Sequence, residues 1–313
     1  MGLLDRAVQR LKAEEAQTKS DSGSPRSSLA KPKRARPREM AVESADEMHL
    51  HPAASPLPGD RWQGAVADRG RVDVDLPRLA SLGFAVPGFP QPSGLLDEHR
   101  RIKRALLFNA AVEQLDDGPN LPSNLILITS AVAGEGKTFV ATNLALILSL
   151  EVNRQALLID ADVIRRGTSH LLGLEGFPGL IDYLAGDVDD LAELLVRPEG
   201  LENLQILPAG RPHENVNELL SSDRMLELVE ELSFADPDRM AVIDSPPLLM
   251  TSETGLLTRY VGQIALVVRA DSTPRYTVDL ALASIPPERF AGLILNDAAR
   301  LRSADGYTEY YEE

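Results

Sequence analysis

The 313-residue chain has no cysteine, only one tryptophan, and no apolar run long enough to span a bilayer. Without cysteine there is no disulfide framework, no thiolate metal site and no thiol redox chemistry, a composition that suits a reducing cytoplasm. The longest uninterrupted apolar run falls far short of the ~20 residues that cross a membrane, and no apolar signal core stands near Met1. The chain is therefore expected to be soluble and cytoplasmic. Basic charge is also scarce: 32 Lys and Arg stand against 47 Asp and Glu, a formal charge of −15. A general nucleic-acid binder needs a broad basic surface to neutralise phosphates, so nucleic acid is not an expected partner.

Apolar periodicity is missing from about residue 20 to residue 91, where Ser, Pro, Ala and charged residues dominate. Such a segment buries too little surface to offset its ordering entropy and reads as a flexible linker. It contains Lys31-Pro32-Lys33-Arg34-Ala35-Arg36-Pro37-Arg38, either a solvated charge run or a contact for anionic lipid or an acidic partner. Before it, Leu4, Val8 and Leu11 recur at helical spacing and predict a short amphipathic helix over residues 1–17. That helix either docks on a membrane-bound partner or the lipid surface, or merely frays or packs on its own domain; the sequence does not decide between them. The plan is then a helix at 1–17, a disordered linker at 18–92, a globular domain at 93–300 and a tail at 301–313.

Within the globular part, a helix at 98–112 precedes an apolar strand at 125–129, and a second helix runs from 137 to 150. Further apolar runs at 156–159, 204–207, 240–243, 263–268 and 292–295 read as buried parallel strands. Strands alternating with helices predict a doubly wound, mostly parallel α/β sheet, which binds ligands at the carboxyl ends of its strands.

What stands at those ends is the most informative part of the sequence. The first strand runs into Ala131-Val132-Ala133-Gly134-Glu135-Gly136-Lys137-Thr138. This A-x-x-x-x-G-K-T segment reads as a phosphate-binding loop: glycines let the backbone wrap an anion while N–H groups and a helix N-terminus point at it. Lys137 would reach the β- and γ-phosphates of ATP, and the Thr138 hydroxyl would hold Mg²⁺. The second strand ends in Asp160-Ala161-Asp162, two carboxylates suited to Mg²⁺ and to accepting a proton. The third ends in Asp244-Ser245-Pro246-Pro247, a carboxylate suited to Mg²⁺-bound water.

These three motifs resemble the Walker A, A′ and B motifs of the cytoplasmic bacterial tyrosine kinases of polysaccharide export, particularly the exosortase-associated branch. The resemblance spans about residue 95 to the C-terminus and implies a P-loop nucleotidase fold of the deviant Walker type, shared with ParA and MinD. It further implies an ATP- and Mg²⁺-dependent autokinase regulating exopolysaccharide polymerisation and export. Ala133, Gly134, Glu135, Gly136, Lys137, Thr138, Phe139 and Asn296 would line the nucleotide, with Asn296 at the position where related ATPases read adenine. Thr138, Asp162 and Asp244 would hold the metal, and Asp160 is the expected proton acceptor, the division between Asp160 and Asp162 being the open point. Arg165 matches the arginine after the A′ motif, although Arg166-Gly167 replaces the usual proline.

Two features separate a kinase from its relatives. Glu98, Arg101 and Arg104 match the E-x-x-R-x-x-R pattern through which family members assemble into rings. Three of the six tyrosines, Tyr307, Tyr310 and Tyr311, gather in an acidic C-terminal tip. They resemble the family's autophosphorylated cluster. From Asn296 to Tyr307 the chain reaches at most ~36–40 Å when extended, enough to enter a neighbouring subunit's site. The resemblance also implies a transmembrane partner of the chain-length-determinant type, peripheral association with the inner membrane through it, and a phosphotyrosine phosphatase. The alternatives are a positioning ATPase, disfavoured because Val132 stands where those proteins carry a signature lysine, and a catalytically silent adaptor of an export complex.

Overall fold

A computed structural model describes residues 70–90, 94–113, 122–151, 154–234 and 238–298. The expected N-terminal helix, the basic run at 31–38 and Tyr307, Tyr310 and Tyr311 lie outside the described residues. In chain order the elements are β1 (Arg71–Val72), α1 (Leu76–Ser81), α2 (Leu95–Glu113), β2 (Leu125–Ser130), α3 (Lys137–Leu148), β3 (Gln155–Asp160), α4 (Gly167–Leu172) and α5 (Leu180–Ala185). There follow β4 (Arg197–Pro198), β5 (Leu204–Leu207), α6 (Val216–Leu220), α7 (Asp223–Phe234), β6 (Arg239–Asp244), α8 (Ser252–Leu257), β7 (Gln263–Arg269), α9 (Arg275–Ala283) and β8 (Phe290–Asn296).

Six strands pair in parallel in the order β5-β3-β6-β2-β7-β8. Every residue of β2 and β6 is buried, which explains why these strands read as continuous apolar runs: helices cover both faces. On one face Leu125, Leu127, Leu157, Ile159 and Ile243 meet α5, α7 and α9. On the other Ile126, Ile128, Leu158, Val242 and Val267 meet α3 and α2. Gln263 fastens α2 to the sheet by donating from Nε2 to the carbonyls of Leu106 (3.0 Å) and Ser123 (2.7 Å).

The chain from 70 to 90 corrects the expected linker, which had been drawn through residue 92. β1 pairs in parallel with β4, Arg71 against Arg197, and Val72, Val74, Leu79, Phe84 and Val86 are buried. The cause lies in α3, which is apolar all round and buried from Val140 to Leu148, so it needs cover on its outer side as well as on the sheet. The 70–90 segment supplies part of it: the Ala85 N–H donates to Asn143 Oδ1 at 2.7 Å, and the Phe84 ring lies 4.9 Å from that of Phe139. Its apolar residues follow a turn-rich path and carry no single period. Among the described residues no helix is long and apolar enough to cross a membrane.

Candidate active site

β3, β6 and β2 are neighbours in the sheet, so the segments leaving their carboxyl ends converge. After β2 the chain turns through residues 131–136 into α3. Gly134 (φ 87°) and Gly136 (φ 93°) adopt the left-handed conformation that glycine alone takes without strain. Space is also tight at Gly136, where a Cβ would stand 2.0 Å from Asn296 Nδ2. The segment after β6 braces the loop: the Leu248 N–H donates to the Ser130 carbonyl at 2.7 Å. Lys137 and Thr138 thus open α3 with the helix N-terminus and the loop amides beside them, the arrangement that attracts phosphate.

Asp160, Asp162 and Asp244 are fully buried around Lys137. Lys137 Nζ lies 2.9 Å from Asp162 Oδ2. Asp160 and Asp244 are register partners on β3 and β6. The Asp160 Oδ2 accepts from the Ser169 N–H (2.7 Å) and hydroxyl (2.8 Å), and the Asp244 Oδ2 accepts from the Thr168 hydroxyl (2.9 Å). The other oxygen of each, Asp160 Oδ1 and Asp244 Oδ1, is buried with no hydrogen-bond partner. Burial, and then the neighbouring Asp244 charge, push Asp160 up to about 7. Burial likewise pushes Asp244 up to about 6, against the opposing pull of the Lys137 charge and the Thr138 and Thr168 hydroxyls.

Two buried carboxylate oxygens without partners are costly unless a cation or proton meets them, and that need fits a magnesium nucleotide. Among the described residues no three His, Asp or Glu side chains form a metal cage. Thr138, Asp162 and Asp244, the three residues expected to hold a metal, lie close to one another and to Lys137. Asn296, at the end of β8, donates from Nδ2 to the Glu135 carbonyl at 2.9 Å, so the expected base-reading side chain also anchors the loop. Phe139 is half-buried and packs against Phe84 and His99.

No protein-family model matches the chain. Among curated proteins it is 32% identical over 190 residues to the tyrosine-protein kinase wzc of Salmonella typhi, covering 60% of this chain and 26% of that protein. The solved kinase domain of VpsO is 32% identical, with 65% of this chain covering 98% of that domain at a TM-score of 0.52. The chain belongs to this family of bacterial tyrosine-protein kinases. It spans about a quarter of the length of the curated relatives it matches. The kinase domain of the Escherichia coli tyrosine kinase ETK, at 24% identity and a TM-score of 0.56, shares the fold.

Against this kinase family, the sequence reading missed the groups that hold the acids. Thr168 and Ser169 open α4 and fasten Asp244 and Asp160, and the Ser169 hydroxyl itself accepts from the Ala209 N–H at 3.0 Å. The signal present was a Thr-Ser pair a few residues after the A′ aspartates, a spacing that becomes meaningful only once the chain is seen to turn back at Arg166 (φ 51°). Thr273, which donates to Glu135 Oε1 at 2.5 Å, also went unnoticed. Glu98, Arg101 and Arg104 follow one face of α2, all exposed, and none forms a salt bridge among the described residues. Glu98 also lines a cavity with Phe139 and Asn296.

Proposed function

We propose that the chain is an ATP-dependent protein-tyrosine autokinase that phosphorylates Tyr307, Tyr310 and Tyr311 of a neighbouring copy within a ring. Its role would be to regulate exopolysaccharide polymerisation and export together with a membrane-spanning co-polymerase that recruits it to the inner membrane. A phosphotyrosine phosphatase would reset the tail. The observation that carries this reading is the buried pair of Asp160 and Asp244, each with an oxygen lacking a partner, beside Lys137 and Thr138.

In this reading the loop amides from Ala133 to Thr138 and Lys137 take the phosphates of ATP, and Asn296 and Phe139 flank the nucleoside side. Thr138, Asp162 and Asp244 would hold Mg²⁺, which would neutralise phosphate charge. A tail tyrosine oxygen forms the new bond to the γ-phosphorus, the bond from that phosphorus to the ADP oxygen breaks, and the phenol proton passes to Asp160. A base near neutrality suits that transfer, and Asp160, pushed up to about 7, has the appropriate basicity. Asp162 is already engaged by Lys137, which favours Asp160 for the proton. Most of the rate enhancement comes from alignment and charge neutralisation, as in phosphoryl transfer generally.

Phosphotyrosine mapping after incubation with Mg-ATP, with and without the cytoplasmic segment of a candidate membrane partner, tests the proposal. Phosphate is expected on Tyr307, Tyr310 or Tyr311 and absent in Lys137→Met. ATP hydrolysis without phosphotyrosine, with the partner segment present, would overturn it in favour of a positioning ATPase or adaptor.

A further inference from the structure

A carboxylate within a phosphate-binding loop is an electrostatic anomaly, since it stands where negative charge is to be bound. Glu135 is such a residue, and it is 2% exposed. A group that costs so much to bury is retained only when its partners are fixed and numerous. The partners of Glu135 are unusual in where they come from.

One carboxylate oxygen, Oε2, accepts from the Val132 N–H at 2.7 Å, closing the loop on itself. The other, Oε1, accepts from the Thr273 hydroxyl at 2.5 Å, in the segment that leaves the carboxyl end of β7. The backbone carbonyl of the same residue accepts from Asn296 Nδ2 at 2.9 Å, at the end of β8. One residue therefore joins the segments leaving β2, β7 and β8, half the strands of the sheet. The receiving segments are themselves held: Arg269 grips Asp297 through Nε (3.0 Å) and Nη2 (2.8 Å), and the Ala270 N–H donates to the Asn296 carbonyl at 2.9 Å. Asp271 takes a left-handed conformation (φ 53°) that turns the β7 segment back toward the loop, and Pro274 then opens α9.

We infer that Glu135 is a positioning residue, not a ligand of the phosphates: its carboxylate latches the phosphate loop to Thr273, so that nucleotide affinity is set in part from the β7–α9 segment. Charge-assisted bonds are the stronger hydrogen bonds, and both oxygens are spent on donors other than the nucleotide. The latch keeps the remaining loop amides aligned before nucleotide arrives, so ordering is not charged against binding. Because Thr273 stands two residues before Arg275, where the helix opens, a disturbance of that helix reaches the loop through a single hydroxyl.

This inference rests on the nucleotide-binding reading above. The test is a double-mutant cycle in the Kd for ADP, measured by calorimetry on the full chain, with melting temperature recorded alongside. Glu135→Ala is expected to weaken ADP about tenfold and Thr273→Val about threefold to tenfold, whereas Thr273→Ser, which keeps the hydroxyl, binds as the native chain does. The double variant Glu135→Ala with Thr273→Val is expected to bind no worse than Glu135→Ala alone, since both remove one latch. A residue with a purely structural role lowers the melting temperature without coupling in Kd. Native-like ADP affinity in folded Thr273→Val, or losses that simply add, would overturn the inference. If Glu135→Ala does not fold, Thr273→Val against Thr273→Ser decides alone. A native chain that binds no ADP at all would instead overturn the nucleotide reading, and this inference with it.

Discussion

Two sets of charged residues lie on the same domain and are treated in opposite ways. Asp160, Asp162 and Asp244 are buried at or just beyond the ends of β3 and β6, and burial raises Asp160 to about 7 and Asp244 to about 6. Glu98, Arg101 and Arg104 stand on the outer face of α2 in water, with no salt bridge among the described residues. Within the first set, Asp160 and Asp244 each carry a buried oxygen without a partner, a cost to the empty protein that a bound cation or a proton offsets. The second set costs the fold nothing and contributes nothing to it, since exposed charges are worth little within a chain. In the proposed ring its use lies between chains. The lesson is that the cost of burying a carboxylate points to a role for it, whereas an exposed charge carries no such cost.

The comparison breaks most visibly at Lys137. Lys137→Met is expected to lower phosphotyrosine formation at least ~10³-fold. It also leaves Asp162 buried without its cation, so the melting temperature of the nucleotide-free chain should fall. Asp160→Asn should cut transfer by about 10²–10³-fold in single-turnover assays. Its effect on stability has the opposite sign: at pH 8 the amide relieves a buried charge beside Asp244, and denaturant melts should show a gain of about 1–3 kcal/mol. A loss of stability there would mean that Asp160 is not penalised by its site.

The pH dependence sharpens the same contrast. The folded pKa of Asp160 is raised to about 7 from an ordinary 3.8. Between those values the folded state keeps a proton that the unfolded state has released, so stability falls as pH rises from about 4 to about 7. The stability advantage of Asp160→Asn over the native chain should therefore grow across that window and level off above it; a constant difference would contradict the assignment. The smallest effect on stability is expected on α2. Arg101→Ala with Arg104→Ala should leave unfolding free energy within about 0.5 kcal/mol of the native chain. The same pair should abolish the proposed ring, with light scattering as the measurement, and an oligomer of native size in the variant would remove these arginines from the contact.

The strands and the phosphate loop were legible because fully buried parallel strands leave unbroken apolar runs, and because Gly134 and Gly136 mark a backbone that no other residue follows easily. The expected strands lie within one or two residues of those observed. Residues 70–90 were not legible, because their apolar side chains serve a helix, α3, whose need for outer cover is a tertiary fact. The acids were legible by position at strand ends, but their supports were not. Thr168, Ser169 and Thr273 reach Asp244, Asp160 and Glu135 across 76, 9 and 138 residues of sequence. Asn296 was legible as a strand-end amide, while its bond to the loop was not.

The most direct test of the account is a mixing experiment. A Lys137→Met chain with its tail intact is combined with a chain whose Tyr307, Tyr310 and Tyr311 are replaced by Phe, and phosphotyrosine is mapped after addition of Mg-ATP. The account predicts phosphate on the tail of the Lys137→Met chain, lost when Arg101 and Arg104 are replaced by Ala in both. An unlabelled tail in the mixture, under conditions where the native chain labels its own, would contradict transfer between subunits and with it the division of labour between buried and exposed charge.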